Sequence, residues 1–174
     1  SCLSCHDQHQ RRADRRAPAD WAEDQLAPKA RGDGACTECH TVIAANQLAH
    51  THHATGTPGS ACYDCHMPHT TWGLLTAIRS HQIERPSVTT TLDSGRPNAC
   101  NLCHLDRTLA WSAERLAAWY GTPMPALGEQ DRTRAAGARW LLAGDAGQRA
   151  LAAWSMGWPP ARAAMAQRDA GTTP

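Results

Sequence analysis

Apolar residues recur at helical spacing only after residue 104. Leu105, Leu109, Leu116 and Trp119 fall close to one face of a helix. Gly121 follows them, and glycine commonly ends a helix because it adopts the left-handed conformation at no steric cost. The pattern therefore predicts a helix that ends at Gly121.

A second helix is predicted over residues 131–143. Its apolar residues Trp140, Leu141 and Leu142 are expected to face the core. A third helix begins after Asp145, since Gln148 three residues later completes a capping box.

The third helix carries apolar residues that include Leu151, Trp154 and Met156. Pro159 and Pro160 suit the start of a fourth short helix, because proline is tolerated in the first turn. Residues 169–174 are expected to be loose, as chain ends often are.

The first 104 residues have a different pattern. Residues 7–35 are polar, and within them residues 20–27 predict a short helix. Residues 84–99 are rich in Thr, Ser and Pro without a helical period, which indicates an extended loop. We therefore expect the first 104 residues to be organised by packing around a bound group and not by helix propensity.

The composition supports that expectation. The 174 residues include no Phe and only 5% aromatic residues, and the mean hydropathy is -0.53. A core built from so few large apolar side chains would be thin, so another source of buried apolar mass is needed. No apolar run is long enough to cross a bilayer.

The eight cysteines supply the decisive motif, because each pair is spaced C-x-x-C and is followed at once by His. The four stretches are Cys2-Leu3-Ser4-Cys5-His6, Cys36-Thr37-Glu38-Cys39-His40, Cys62-Tyr63-Asp64-Cys65-His66 and Cys100-Asn101-Leu102-Cys103-His104. C-x-x-C-H is typical of covalent c-type haem attachment, in which both thiols become thioethers and the His is the proximal iron ligand. Short helices are expected to begin at each stretch.

C-x-x-C spacing also occurs in two other kinds of site. Paired C-x-x-C stretches hold structural zinc, and a single one acts as a redox dithiol. Neither requires His directly after the second Cys, and here that His occurs four times. The sequence therefore predicts four covalent haems and leaves no cysteine for a disulfide.

Haem attachment takes place outside the cytoplasmic membrane, so a periplasmic or extracellular, exported protein is expected, with its leader absent from the printed sequence. Of the 17 basic residues, all but Lys29 are Arg, and the formal net charge is +1. Arg pairs with carboxylates in bidentate fashion and suits the haem propionates. A GC-rich genome explains the Arg bias equally well.

Six His residues remain as candidates for the distal side of the irons, and at least three are expected to bind. They are His9, His50, His52, His53, His69 and His81. Met67 directly follows His66, and Met in the helical tail is usually core filler. Bis-His ligation is therefore expected, with low reduction potentials.

Residues 50–104 resemble the C-terminal haem region of the pentahaem nitrite reductases and related multihaem cytochromes. The resemblance runs, in order, through His52-His53, Cys62-Tyr63-Asp64-Cys65-His66-Met67-Pro68, Ser80-His81-Gln82-Ile83-Glu84-Arg85-Pro86 and Asn98-Ala99-Cys100-Asn101-Leu102-Cys103-His104. It implies that His81 is the distal ligand of an earlier haem, that on Cys2 and Cys5. It also implies that His52 or His53 serves the haem on Cys100 and Cys103.

The chain departs from those reductases in three ways. It has no C-x-x-C-K stretch for a catalytic haem, no His after His104, and no segment ahead of the first motif to supply a ligand. We therefore expect at least one iron to take its distal His from another copy of the chain, which would build a filament. A longer native N-terminus is the alternative.

These observations predict a mostly α protein with much irregular structure, in which haems organise the core. The expected domains are a tetrahaem cytochrome c domain over residues 1–121 and a helical segment over residues 122–174. The boundary is expected near residues 121–128. The helical segment is either a cap over the haems or a HEAT-like pair of helices.

The expected function is electron transfer rather than enzymatic catalysis. The partners would be redox proteins or other copies of the chain, as in tetrahaem nanowires, and no nucleic acid. A redox enzyme with one open haem and a haem-based sensor or docking module are the alternatives. No catalytic residue is predicted.

Overall fold

The computed structural model describes residues 2–72 and 76–169, and most of its regular structure is helical. The predicted mostly α class is confirmed. The chain divides into two compact units, residues 1–62 (unit 1) and residues 63–174 (unit 2). This division does not coincide with the predicted boundary near residue 121.

Unit 1 consists of short elements joined by irregular chain. They are the 3-10 helices Cys2–Ser4 and Pro28–Ala30 and the α-helices α1 (Pro18–Glu23), α2 (Gly34–Thr37), α3 (Thr41–Ala45) and α4 (Gln47–Thr51). The helix predicted over residues 20–27 is thus shorter and begins earlier. Helix α5 (Cys62–His66) starts at the last residue of unit 1 and continues into unit 2.

Unit 2 contains a hairpin followed by helices. They are β1 (His69–Trp72), β2 (Thr76–Arg79), α6 (Val88–Ser94), α7 (Ala99–Cys103), α8 (Leu109–Tyr120), α9 (Glu129–Thr133), α10 (Ala136–Ala143), α11 (Ala146–Gly157) and α12 (Pro159–Asp169). The strands are antiparallel, with His69 opposite Arg79 and Trp72 opposite Thr76. The sequence pattern did not predict this hairpin.

The ends of α8 follow from its sequence. The Thr108 hydroxyl accepts a hydrogen bond from the Trp111 N–H at 3.0 Å, which satisfies one of the open donors of the first turn. Gly121 adopts φ 66° and ends the helix, as predicted. Leu109 and Leu116 face the core, whereas Leu105 is buried in the segment before the helix.

The capping box of α11 is also confirmed. The Asp145 carboxylate accepts from the Gln148 N–H at 2.8 Å, and the Gln148 side chain accepts from the Asp145 N–H at 3.0 Å. The helix buries Leu151, while Met156 is 43% exposed and does not belong to the core. A fourth helix begins at Pro159, as predicted. Asp169, the first residue of the predicted loose tail, is the last residue of α12, and residues 170–174 lie outside the described residues.

The prediction of one helix over residues 131–143 was wrong, because the chain is extended at Arg134 and separates α9 from α10. The first amides of α10 instead donate to the segment before α8. The Gly137 N–H donates to the Leu105 carbonyl at 2.9 Å. A Cβ at position 137 would lie 2.8 Å from the Leu105 Cβ, so this approach requires glycine. Leu142, predicted to face the core, is 83% exposed.

Residues 84–99 are not one extended loop, because helix α6 forms inside them. The Ser87 hydroxyl caps it by accepting from the Thr90 N–H at 3.2 Å. Two residues of α6, Val88 and Thr91, are buried, and Val88 belongs to the core of unit 2. Tertiary packing thus overrides the weak helix propensity of a Thr-rich segment.

The two units differ in their cores. Unit 2 has an apolar cluster that includes Leu109, Leu116, Leu127 and Trp140. Among the described residues of unit 1, Ala27 is the single apolar side chain that is buried. Large apolar side chains of unit 1 are exposed instead, namely Leu3, Leu26, Val42 and Leu48.

Within the described ranges, no helix combines the length and the apolar character that a membrane span requires.

Candidate functional site

Each C-x-x-C-H stretch folds into one helical turn. The His6 N–H donates to the Cys2 carbonyl at 2.9 Å, and the same bond joins His40 to Cys36 and His104 to Cys100. In the third stretch the five residues from Cys62 to His66 form helix α5. Residues three apart lie on one face of a helix, so the turn presents both thiols of each pair together, with His directly after them. The expectation of a short helix at each stretch is confirmed.

The imidazole of His66 is oriented by the chain that follows β2. Its Nδ1 donates to the Glu84 carbonyl at 2.8 Å, and the Glu84 N–H returns a bond to the His66 carbonyl at 3.1 Å. A carbonyl only accepts, so Nδ1 carries the proton and Nε2 keeps its lone pair for a metal. This outer hydrogen bond is the usual arrangement for a metal-bound His.

Arg79 at the end of β2 secures α5. Its guanidinium donates to the Tyr63 carbonyl at 2.8 Å and to the Asp64 carboxylate at 2.6 Å. The same group lies 4.4 Å from the centre of the Tyr63 ring. The Tyr63 carbonyl also accepts from the Met67 N–H at 3.1 Å. Arg79 therefore adds a charged donor to the backbone of the third stretch and holds it to β2.

A buried amide network holds the fourth stretch. Asn101 is fully buried in α7, and its Nδ2 donates to the carbonyls of Arg107 at 3.2 Å and His104 at 3.3 Å. Its Oδ1 accepts from the Ser112 hydroxyl at 2.7 Å and from the Asn98 amide at 3.0 Å. The network fixes the turn after Cys103 and therefore the backbone of His104.

The thiols of the fourth stretch do not match a redox dithiol. Burial raises the pKa of Cys100 to about 11 and that of Cys103 to about 12. Reactive C-x-x-C cysteines have a lowered pKa, because the thiolate is the nucleophile. The ring of His104 lies 5.0 Å from that of Trp111, which helps to fix its plane.

Trp111 also lines a cavity of about 500 Å³ on the surface of unit 2. Glu114, Met124 and Arg132 contribute to the same wall. The cavity thus joins an apolar lining to one acidic and one basic side chain.

Among the candidate distal ligands, His53 has the clearest geometry of a metal ligand. Its Nδ1 lies 2.7 Å from the Thr51 carbonyl, which again assigns the proton to Nδ1 and leaves Nε2 as a donor to a metal. A Cβ at Gly59 would lie 2.8 Å from the His53 ring, so the glycine makes room for the imidazole. The neighbouring His52 adopts φ 56° at the end of α4, and its side chain is exposed.

His69 lies in an aromatic environment in unit 2. The centre of its ring is 4.4 Å from that of Trp154 and 4.9 Å from that of Trp158. Its Nδ1 is buried without a hydrogen-bond partner, and burial lowers its pKa to about 4. A neutral imidazole is the form that binds a metal.

The remaining His residues are placed as follows. His6 pairs with Leu26 in an isolated β-bridge, His40 lies between α2 and α3, and His50 lies in α4. The side chains of His9, His40 and His81 are exposed. The assignment of His81 and of His52 or His53 to particular haems stays a prediction.

The first cysteines of the second and third stretches meet in unit 1. The Cys62 N–H donates to the Asp33 carboxylate at 2.7 Å, and the Cys36 N–H donates to the Asp33 carbonyl at 2.9 Å. Burial, followed by the Asp33 charge, raises the pKa of Cys62 to about 12.

Over the ranges 2–72 and 76–169, no three His, Cys, Asp or Glu side chains are gathered closely enough to hold a single metal ion. Comparisons with protein-family models, with curated proteins and with solved structures gave no match. The resemblance to the nitrite reductases and other multihaem cytochromes stays a prediction.

Three supporting residues were not identified from the sequence: Asp33, Arg79 and Asn101. Asn98 carries a recognisable signal, since Asn before a short helix is a typical cap, and its Oδ1 accepts from the Asn101 N–H at 3.1 Å. Asp33 also precedes a helix, but its side chain does not cap that helix. No local pattern predicts where Arg79 binds.

Proposed function

We propose that this chain carries four covalent c-type haems and transfers electrons through them. The observation that supports this most strongly is the fourfold C-x-x-C-H stretch, each copy folded as one helical turn that presents two thiols and a His. Each haem supplies a one-electron couple at its iron. The cysteines would form the thioethers, and His6, His40, His66 and His104 would be the proximal ligands.

The composition of unit 1 fits this proposal. Ordering a residue costs roughly 1–2 kcal/mol of backbone entropy, and buried apolar area normally offsets that cost. Unit 1 buries one alanine among its described apolar side chains. Haems attached to its cysteines would supply the missing apolar area, as metals and disulfides do in other small domains.

Ion pairs do not replace that core. Unit 1 contains several, including Arg11 with Asp7 at 2.6 Å and Arg31 with Asp24 at 2.6 Å. These pairs lie at the surface, where solvent screens the interaction between charges, so they add little stability. They orient the chain without compensating for the entropy of ordering it.

In this proposal the protein orients the His ligands through hydrogen bonds, and no side chain reacts. His66 and His53 each direct Nδ1 to a backbone carbonyl, so each presents Nε2. A ligand fixed in this way moves little between oxidation states, which lowers the reorganisation that accompanies electron transfer. Bis-His ligation would set low reduction potentials.

The test is to produce the chain in a host that attaches c-type haem and to measure its mass after denaturation. We expect a mass increase of four haems. A variant with Cys100→Ala and Cys103→Ala should lose one haem and keep three. A chain of unmodified mass that retains zinc would contradict the proposal.

We further propose that the chain assembles with copies of itself, with at least one distal His provided by a neighbouring copy. The exposed side chains of His9, His52 and His81 support this, because a neighbouring molecule can contact them. Electron microscopy of the purified haem protein should show filaments. Particles of one chain with four low-spin haems would contradict the assembly but not electron transfer.

A further inference from the structure

The backbone amides of two attachment cysteines converge on one residue, Asp33. The Cys36 N–H donates to the Asp33 carbonyl at 2.9 Å, and the Cys62 N–H donates to the Asp33 carboxylate at 2.7 Å. Cys36 and Cys62 each open a C-x-x-C-H stretch and are 26 residues apart in the chain. One residue therefore holds the starts of the second and third stretches.

The use of this carboxylate is unusual for its position. Asp33 precedes helix α2, where an Asp side chain normally accepts from the first turn of its own helix. Here the side chain makes no such bond, and one oxygen accepts from Cys62 instead. The backbone carbonyl of Asp33 thus binds the first cysteine of the second stretch, and its carboxylate binds the first cysteine of the third stretch.

Gln47 completes the arrangement. Its Nε2 donates to the second Asp33 oxygen at 2.8 Å and to the carbonyl of Ser60 at 2.8 Å. Both partners only accept, so the orientation of the amide is fixed, and both of its protons are used. Helix α4 is thereby tied to Asp33 and to the residues just before Cys62.

We infer that Asp33 is a positioning residue that sets the distance and angle between the second and third haems by holding their first attachment cysteines side by side. This inference rests on the proposed haem attachment. The N–H groups of Cys36 and Cys62 both donate to Asp33, so the two attachment points are held beside each other. The first thioether of each haem would then form beside Asp33.

The carboxylate also acts through its charge. It is half-buried beside both attachment points, where a negative charge favours the more positive, oxidised iron. Asp33 thus lowers the reduction potential of this haem pair while it fixes their separation. The geometric and electrostatic effects can be separated by substitution.

The test compares the fully haem-loaded chain with its Asp33→Ala and Asp33→Asn variants. Circular dichroism in the Soret band reports coupling between neighbouring haems. The contribution of this pair is the part lost both when Cys36→Ala and Cys39→Ala remove the second haem and when Cys62→Ala and Cys65→Ala remove the third. We expect Asp33→Ala to lose that contribution with four haems still attached by mass. Asp33→Asn, which keeps one acceptor oxygen, should retain part of it. Both variants should raise a reduction potential in a redox titration.

Glu38→Gln is the matched control, because Glu38 lies in the second stretch and its exposed side chain pairs with Lys29 at 3.0 Å. It removes the same charge without touching Cys62. We expect a shifted potential with unchanged coupling. Should Asp33→Ala attach fewer haems, Gln47→Ala provides the milder test and should weaken the same signal.

Unchanged coupling in Asp33→Ala with four haems present would overturn this inference and leave electron transfer intact. Unchanged coupling in Gln47→Ala, where that variant is needed, would overturn it as well. A wild-type chain without haem would instead reject the proposed function.

Discussion

The two units of this chain differ in how many apolar side chains they bury. Unit 2 buries Leu109, Leu116 and Trp140 in a continuous apolar cluster. Unit 1 leaves Val42 78% exposed and Leu48 58% exposed, and it buries little beyond Ala27 among its described side chains. The comparison shows that helical turns and hydrogen bonds can be specified without a core, whereas a folded unit requires buried apolar area.

The largest expected effect is on the chain without haem. If haems are the core of unit 1, an apo chain made where haem is not attached should lose the structure of residues 2–62 and retain that of unit 2. Hydrogen exchange followed by mass spectrometry should show fast exchange throughout unit 1 and protected amides in α8 and α11. If the amides of unit 1 are protected equally in the apo chain and in the haem protein, its own side chains stabilise the fold without haem.

The core of unit 2 is tested by Trp140→Ala. Trp140 is 4% exposed, and loss of a buried aromatic side chain should lower the free energy of unfolding by about 3–5 kcal/mol. Chemical denaturation followed by circular dichroism measures the change. The control is Leu142→Ala in the same helix, which should stay within about 0.5 kcal/mol because that side chain is exposed. Equal losses in both variants would contradict the assigned core.

A smaller loss is expected from the amide network of the fourth stretch. Asn101→Ala leaves the carbonyls of His104 and Arg107 without their donor and should cost about 1–3 kcal/mol. The same denaturation experiment applies, with Gln130→Ala at an exposed position of α9 as the control. An Asn101→Ala variant as stable as that control would show that water replaces the amide.

The smallest effect is a pH dependence of unit 2 in the apo chain. Burial lowers the pKa of His69 from 6.5 to about 4, so between these values the unfolded chain binds more protons than the folded one. Stability should therefore fall as the pH is lowered from 6.5 toward 4. Denaturant midpoints across this range should flatten in His69→Gln. A denaturant midpoint of the wild-type chain that does not change with pH would show that the His69 ring is solvated.

Much of the fold near each motif followed from local sequence. The turns of the four C-x-x-C-H stretches, the Thr108 and Gly121 ends of α8, and the Asp145 capping box depend on residues close together in the chain. Such contacts form between chain neighbours, and their geometry is nearly independent of the surroundings. The roles of the cysteines and of the His that follows each pair were also inferred from chain neighbours, and they stay predictions.

The rest required the tertiary structure. The chain is extended at Arg134 because the amides that follow bind the segment before α8, and α6 forms because Val88 is buried in the core. Asp33 looks like the cap of its own helix, yet its carboxylate binds Cys62, 29 residues away. The sequence by itself determined which residues form turns, and it predicted which residues would hold haem. Only the folded chain decided which distant partners those residues bind, because such bonds depend on the position of segments that local patterns do not encode.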